Sequence, residues 1–236
     1  YHRVAKACAE HKIMIMYHGA FPPKGFNRTY PNAVGREGLL GSEYNMWSNR
    51  VTPGHDVTLA FPRMLAGGFD YEPGILNNAT RNGTRPVAGL VTSPGTRCHQ
   101  LSMFIVYDSP VQIFAGNPSE GMREPEFMEL LGSLPTTWDE TIITDAKVAE
   151  YIVSARKKGN DWFIGGMCDW TPRDLTIKFD FLDEGNYKAT ICKDGVNADR
   201  YAADYVIQKN IPVRKNDTIN IHLAPGGGFL IRLDRQ

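Results

Sequence analysis

The chain of 236 residues reads as α/β followed by all-β: the carboxyl-terminal part of a (β/α)8 TIM barrel over residues 1–137, then an antiparallel β-sandwich over residues 138–236. Three observations carry this reading. Helix-like and strand-like segments alternate up to residue 137, which is the rhythm of an α/β domain. After Trp138 the rhythm changes to eight short strand-like runs with turn residues between most of them, the signature of a sandwich. A complete barrel takes about 200 residues or more. The first 137 residues, which open on a helical pattern, therefore correspond to the back half of one, and the beginning of the protein is expected to be missing.

YHRVAKACAEHK (1–12) sets Val4, Ala7, Cys8 and Ile13 on or near one face at helical spacing. IMIMY (13–17) is a continuous apolar run, as in a buried parallel strand. DVTLAFPRMLAG (56–67) and TRCHQLSMFIVYDSP (96–110) read as helical, the second leading into an apolar strand, VQIFA (111–115). A boundary is expected near 134–141, in LPTTWDET. The strands that follow are TIITD, EYIVSARKK, DWFIGGMCDW, LTIKFDFL, YKATICKD, YVIQKNIP, TINIHLA and GGFLIRLD, with KKGND, DEGN, KDGVN and APGGG as turns.

Composition narrows the partner. Lys+Arg and Asp+Glu both number 26, and no basic run is present, which argues against nucleic acid or an anionic membrane and favours a small neutral ligand. No apolar run approaches the roughly 18 residues of a membrane-spanning helix. Cys8, Cys98, Cys168 and Cys192 are far apart, without CxxC pairs, and read as buried or free thiols. Asn27, Asn78, Asn82 and Asn216 each open an N-x-T triplet, a pattern too common to fix a compartment.

The chemistry concentrates in YHGAFPPKGFNRTYPNAVGREGLLGSEYNMW (17–47). If 13–17 is a barrel strand, His18 and Gly19 lie at its carboxyl end, the rim where barrels build active sites. The loop beyond carries Glu37 and Glu43, six residues apart. Paired carboxylates serve acid/base work on a glycosidic bond or oxygen ligation of a hard cation, and are equally compatible with solvated surface charge. His18 also reads as a satisfied buried histidine. A second cluster, MLAGGFDYEPGIL (64–76), offers Asp70 and Glu72, either on the same rim or as turn-forming acids. Phe21, Phe26, Tyr30, Tyr44 and Trp47 interleave with these polar groups, a mixture that suits a sugar or ordinary loop packing.

The stretch 17–47, then GGFDYEPG, DSPVQIFA, the WDET linker and a closing PGGGFLIRL, resembles glycoside hydrolase family 97, α-glucosidases and α-galactosidases, over the whole chain. The resemblance implies an amino-terminal β-super-sandwich, a central (β/α)8 barrel and a carboxyl-terminal β-sandwich, of which this chain would hold the end of the barrel and the last domain. It implies that Glu43, in GSEY, is the general acid, that Glu37 is a ligand of a catalytic-site Ca²⁺ with Glu43 also at that ion, and that His18 contacts the sugar. Inverting members carry a glutamate directly after this histidine. Gly19 stands there instead, which favours the retaining branch, whose nucleophilic aspartate would precede Tyr1. A retaining, calcium-dependent α-galactosidase of the periplasm is the expectation. An α-glucosidase, an inverting hydrolase and a non-catalytic carbohydrate-binding fragment are the alternatives, and the oligomeric state is left open.

Overall fold

The computed structural model describes residues 1–236. Helix α1 (His2–Glu10) forms as its pattern predicts, yet it buries Ala5 alone and leaves Val4 and Ile13 exposed. Strand β1 (Ile15–Tyr17) pairs in parallel with β2 (Ala33–Arg36), Tyr17 opposite Arg36. A short α2 (Phe26–Thr29) lies in the crossover between them.

Helix α3 (Pro53–Leu59) begins earlier than the sequence pattern suggests. The Thr52 side chain caps it by accepting the His55 N–H, and Pro53 pre-sets its first turn. It also ends earlier, because Pro62 cannot continue a helical ladder, and only a short 3₁₀ turn, Met64–Ala66, follows. Strands β3 (Asn78–Ala79) and β4 (Ser93–Pro94) make a second, minimal parallel pair.

Helix α4 (Arg97–Val106) starts at Thr96, whose side chain accepts the His99 N–H, and all of its residues are buried. The strand expected over 111–115 does not form. That run has a single backbone bond to a neighbour, Ala115 N–H to the Pro73 carbonyl, whereas a strand requires a ladder. Helices α5 (Pro118–Gly121) and α6 (Pro125–Gly132) complete this part.

All eight expected strands of the second part form: β5 (Glu140–Lys147), β6 (Tyr151–Lys158), β7 (Asp161–Cys168), β8 (Arg173–Lys178), β9 (Asn186–Asp194), β10 (Tyr205–Arg214), β11 (Thr218–Leu223) and β12 (Gly228–Arg235). Six of them build an antiparallel sheet in the order β10-β9-β12-β7-β6-β5, and β11 pairs with β8 in a second, two-stranded sheet. This is an antiparallel β-sandwich.

Alternation sorts the core. Phe229, Ile231 and Leu233 of β12 join Trp162, Ile164 and Ile191 against Ile177, Phe179 and Ile221, filling the space between the sheets. Leu230, Phe163 and Cys192 face the other way and meet Leu101, Phe104 and Ile105 of α4 with Phe127 and Leu130 of α6. Each fully buried Leu, Ile or Phe here stabilises the fold by about 1.5–3 kcal/mol. Gly165 lets α4 come this close to β7: a Cβ there would sit 2.7 Å from Ile105 Cβ and 2.9 Å from the Ser102 carbonyl oxygen. A third cluster, with Met103, Val106 and Tyr107 against Val57, Phe69 and Tyr71, carries the packing toward the carboxyl ends of β1 and β2. No helix is long and apolar enough to cross a membrane.

Candidate active site

The parallel pairing of β1 and β2 brings their carboxyl ends side by side, so that His18 and Glu37 emerge together, and the Glu37 N–H extends the ladder to the Tyr17 carbonyl. Glu37 is only 5% exposed. Its Oε2 accepts the Gly19 N–H, while Oε1 faces His18 Nε2 at 4.0 Å. Its backbone is held by Arg63, a buried guanidinium that donates to the carbonyls of Arg36 (2.6 Å), Glu37 (3.1 Å) and Gly67 (3.0 Å). Gly38 then turns the chain at φ +55°, against Pro22, where a side chain would clash with the proline ring.

Glu43 lies on a 3₁₀ turn, Ser42–Met46. Ser42 fixes that turn to the neighbouring segment: its N–H donates to the Tyr71 carbonyl (3.0 Å) and its hydroxyl to the Glu72 carbonyl (2.6 Å). The same two bonds tie the Glu43 turn to the segment that carries Asp70 and Glu72, with His18 between them. Tyr71 is anchored beneath by its hydroxyl, which donates to Asp56 Oδ1 at 2.6 Å.

His18 is the hub. Nε2 meets Glu43 Oε1 at 3.1 Å; Nδ1 meets Asp70 Oδ2 at 3.1 Å and Glu72 Oε1 at 3.4 Å. Partial burial alone would lower the imidazole, but the bonds to Asp70 and Glu43 and the charges of Glu37 and Glu72 hold it up at about 9. Burial, then the Asp70 charge, push the Glu72 carboxyl up to about 7, against the pull of His18. Glu72 adopts φ +65°, a strained backbone for a residue with a side chain.

Four carboxylates thus surround one imidazole. The ligating atoms of His18, Glu37 and Glu43 lie within 4.8 Å of one another, as do those of His18, Asp70 and Glu72. An oxygen-rich, strongly negative set with a buried glutamate suits a hard cation such as calcium. Asp70 and Glu72 converge on the same imidazole as Glu37 and Glu43, and His18 is half-exposed rather than a core histidine. Of the loop aromatics, Phe26 and Tyr30 pack on each other and Phe26 on the Arg36 guanidinium, whereas Phe21 and Trp47 are exposed. The sequence reading missed Ser42, Arg63 and the Tyr71–Asp56 bond; each acts by holding backbone, and no motif announces such a role.

Comparison with known proteins is extensive. A family model described as "Glycosyl-hydrolase 97 C-terminal, oligomerisation" matches residues 137–234, and one described as "Glycoside hydrolase 97" matches residues 1–39. A "Retaining alpha-galactosidase" of Bacteroides thetaiotaomicron is 41% identical over 98% of this chain and 35% of its own length. A "Probable retaining alpha-galactosidase" of Streptomyces bingchenggensis is 29% identical over 97% of this chain and 33% of its own. The chain therefore spans about a third of the length of the curated relatives it matches. A family 97 enzyme from Pseudoalteromonas sp. strain K8, solved with acarbose, superposes with a TM-score of 0.91 at 36% identity, covering 100% of this chain and 37% of that one. A β-arabinopyranosidase shares the fold, with a TM-score of 0.79 at 24% identity over 98% of this chain and 36% of that one.

Proposed function

This chain belongs to glycoside hydrolase family 97, and from that premise we propose that it supplies the acid/base part of the active site and the carboxyl-terminal sandwich of a retaining α-galactosidase. The single observation that carries the reading is the cluster of Glu37, Glu43, Asp70 and Glu72 around His18, at the carboxyl ends of parallel strands. The parallel β1–β2 pair and the exposed flank of α1 support reading residues 1–137 as the closing part of a (β/α)8 barrel whose earlier strands lie upstream.

In this reading Glu43 protonates the departing glycosidic oxygen and then takes the proton of the attacking water. Its partner, an aspartate nucleophile, belongs to the upstream strands, so this chain alone does not turn over substrate. His18 Nε2 faces the Glu43 carboxylate and contacts the sugar. Glu37 and Glu43 would hold Ca²⁺. When bound, the ion supplies positive charge that fixes the loop and binds sugar hydroxyls. Periplasmic location, an α-galactoside substrate and assembly through the carboxyl-terminal domain are part of the same proposal.

The deciding experiment uses the enzyme that includes the upstream strands, with aryl α-galactosides and α-glucosides as substrates. Proton NMR is expected to detect α-galactose as the anomer first released, and β-galactose would overturn retention. Preference for the glucoside would replace the sugar, and sugar binding without turnover would favour the non-catalytic alternative. Metal binding is tested separately. Millimolar calcium is expected to raise the melting temperature, by the equivalent of about 2.7 kcal/mol at a hundredfold excess over Kd, and Glu37→Gln is expected to remove most of that rise. Equal shifts in both proteins would eliminate Glu37 as a ligand.

A further inference from the structure

The six-stranded sheet ends in two edges, β10 and β5, and they are built differently. β10 is guarded: it contains Pro212, its register breaks between Gln208 and Ile211, Asn210 takes φ +62°, and Lys209 and Arg214 project from it. A proline, a left-handed kink and cations with no acid in the strand to balance them stop this edge from pairing. β5 has one register shift, no proline, and the β-branched run Thr141–Ile142–Ile143–Thr144 at its centre. Nearly all of it is exposed, including Ile143 at 48%. Beside it a cleft of about 500 Å³ opens between β5 and β8, lined by Ile142, Thr144, Ile177 and Phe181.

We propose that β5 is the pairing edge of a twofold dimer, in which Glu140–Lys147 of one copy runs antiparallel to the same strand of a second copy. This rests on the proposal that the carboxyl-terminal domain is an assembly module, and it names the surface. The occupant follows from charge. Self-pairing centred between Ile143 and Thr144 sets Glu140 opposite Lys147 of the second copy at one end, and symmetry repeats the pair at the other. The two side chains share a face. Ile142 packs into the core between the sheets, which places Glu140, two residues earlier, on that side. Lys147 lies opposite Tyr151, which packs against the same core. Lys147, which pairs with Glu150 of its own chain, would then lie between two acids, and the pairing would join two sheets into one and cover the cleft.

Sedimentation equilibrium of the full chain tests this, with Glu140→Lys and Lys147→Glu as variants; both positions are exposed, and circular dichroism confirms that the variants fold. The wild type is expected to be a dimer. Each single swap sets like charges at both ends of the pairing and weakens it by about tenfold. An equimolar mixture of the two variants regains dimer, because each then meets the opposite charge. Lys209→Glu, on the other edge, leaves the constant unchanged. A monomeric wild type overturns both this pairing and the assembly reading. A dimer indifferent to the swaps, or weakened but not restored by mixing, overturns the pairing alone and leaves assembly standing. Loss of the dimer when the upstream part of a longer polypeptide is joined makes that part the occupant and also overturns the proposal.

Discussion

Glu43→Gln, in the enzyme that joins this chain to its upstream barrel strands, is expected to lower kcat on natural α-galactosides by about 10²–10⁴-fold, the range that general acid/base catalysis supplies. The expectation follows from placement. Glu43 is carried on a short turn that Ser42 ties to Tyr71 and Glu72, and its carboxylate sits 3.1 Å from His18 Nε2. Glutamine keeps the shape and the contact but can neither give nor take a proton. An aryl α-galactoside with an acidic phenol needs no protonation in the first step, so it is expected to form the glycosyl-enzyme and show a burst of phenol before slow hydrolysis. Azide, which attacks without a base, restores turnover and yields α-galactosyl azide. Unchanged turnover of natural substrates by the variant would remove Glu43 from this role.

The second large effect concerns stability rather than catalysis. Asp194, at the end of β9, is buried and accepts three hydrogen bonds: from the Thr96 hydroxyl at 2.6 Å, from Ala224 N–H at 2.9 Å and from Gly228 N–H at 3.1 Å. It joins the start of α4 to the hairpin between β11 and β12. Burial dominates over those bonds and over the neighbouring His99, and raises the carboxyl from its ordinary 3.8 to about 6. A raised carboxyl favours the protonated fold. The stability it contributes is therefore fully present below 3.8 and is lost as pH rises through about 6, in total about 3 kcal/mol. Asp194→Asn cannot titrate. Urea unfolding of both proteins at a series of pH values is expected to give a stability difference, wild type minus variant, that falls by about 3 kcal/mol between acid and neutral pH. A difference independent of pH would refute the assignment.

The eight strands of the sandwich were legible because turn chemistry separates most of the runs, and GGFLIRLD and TINIHLA also carry a period of two. DWFIGGMC is apolar throughout for a different reason: β7 is covered on both faces, by the second sheet on one side and by α4 on the other. VQIFA misled because apolar β-formers do not make a strand without a partner to bond, and partners are not written in a local pattern. At the site, side chains that bear chemistry stood out: His18, Glu37, Glu43, Asp70 and Glu72 all converge. What fixes them did not stand out. Arg63 and Ser42 act on carbonyls that every residue has, and Gly38 is needed for a backbone angle that only the folded loop imposes.

The strand order β10-β9-β12-β7-β6-β5 has a consequence for how the molecule is made. β12 is the last of these strands to be synthesised, yet it lies between β9 and β7 in the middle of the sheet. Until it emerges from the ribosome, β5–β6–β7 and β9–β10 are two separate ribbons, and the apolar side of α4, translated long before, has no complete surface to rest on. Vectorial synthesis therefore cannot lay this domain down piece by piece. The sheet and the face of α4 that rests on it close late, once residues 228–235 have emerged.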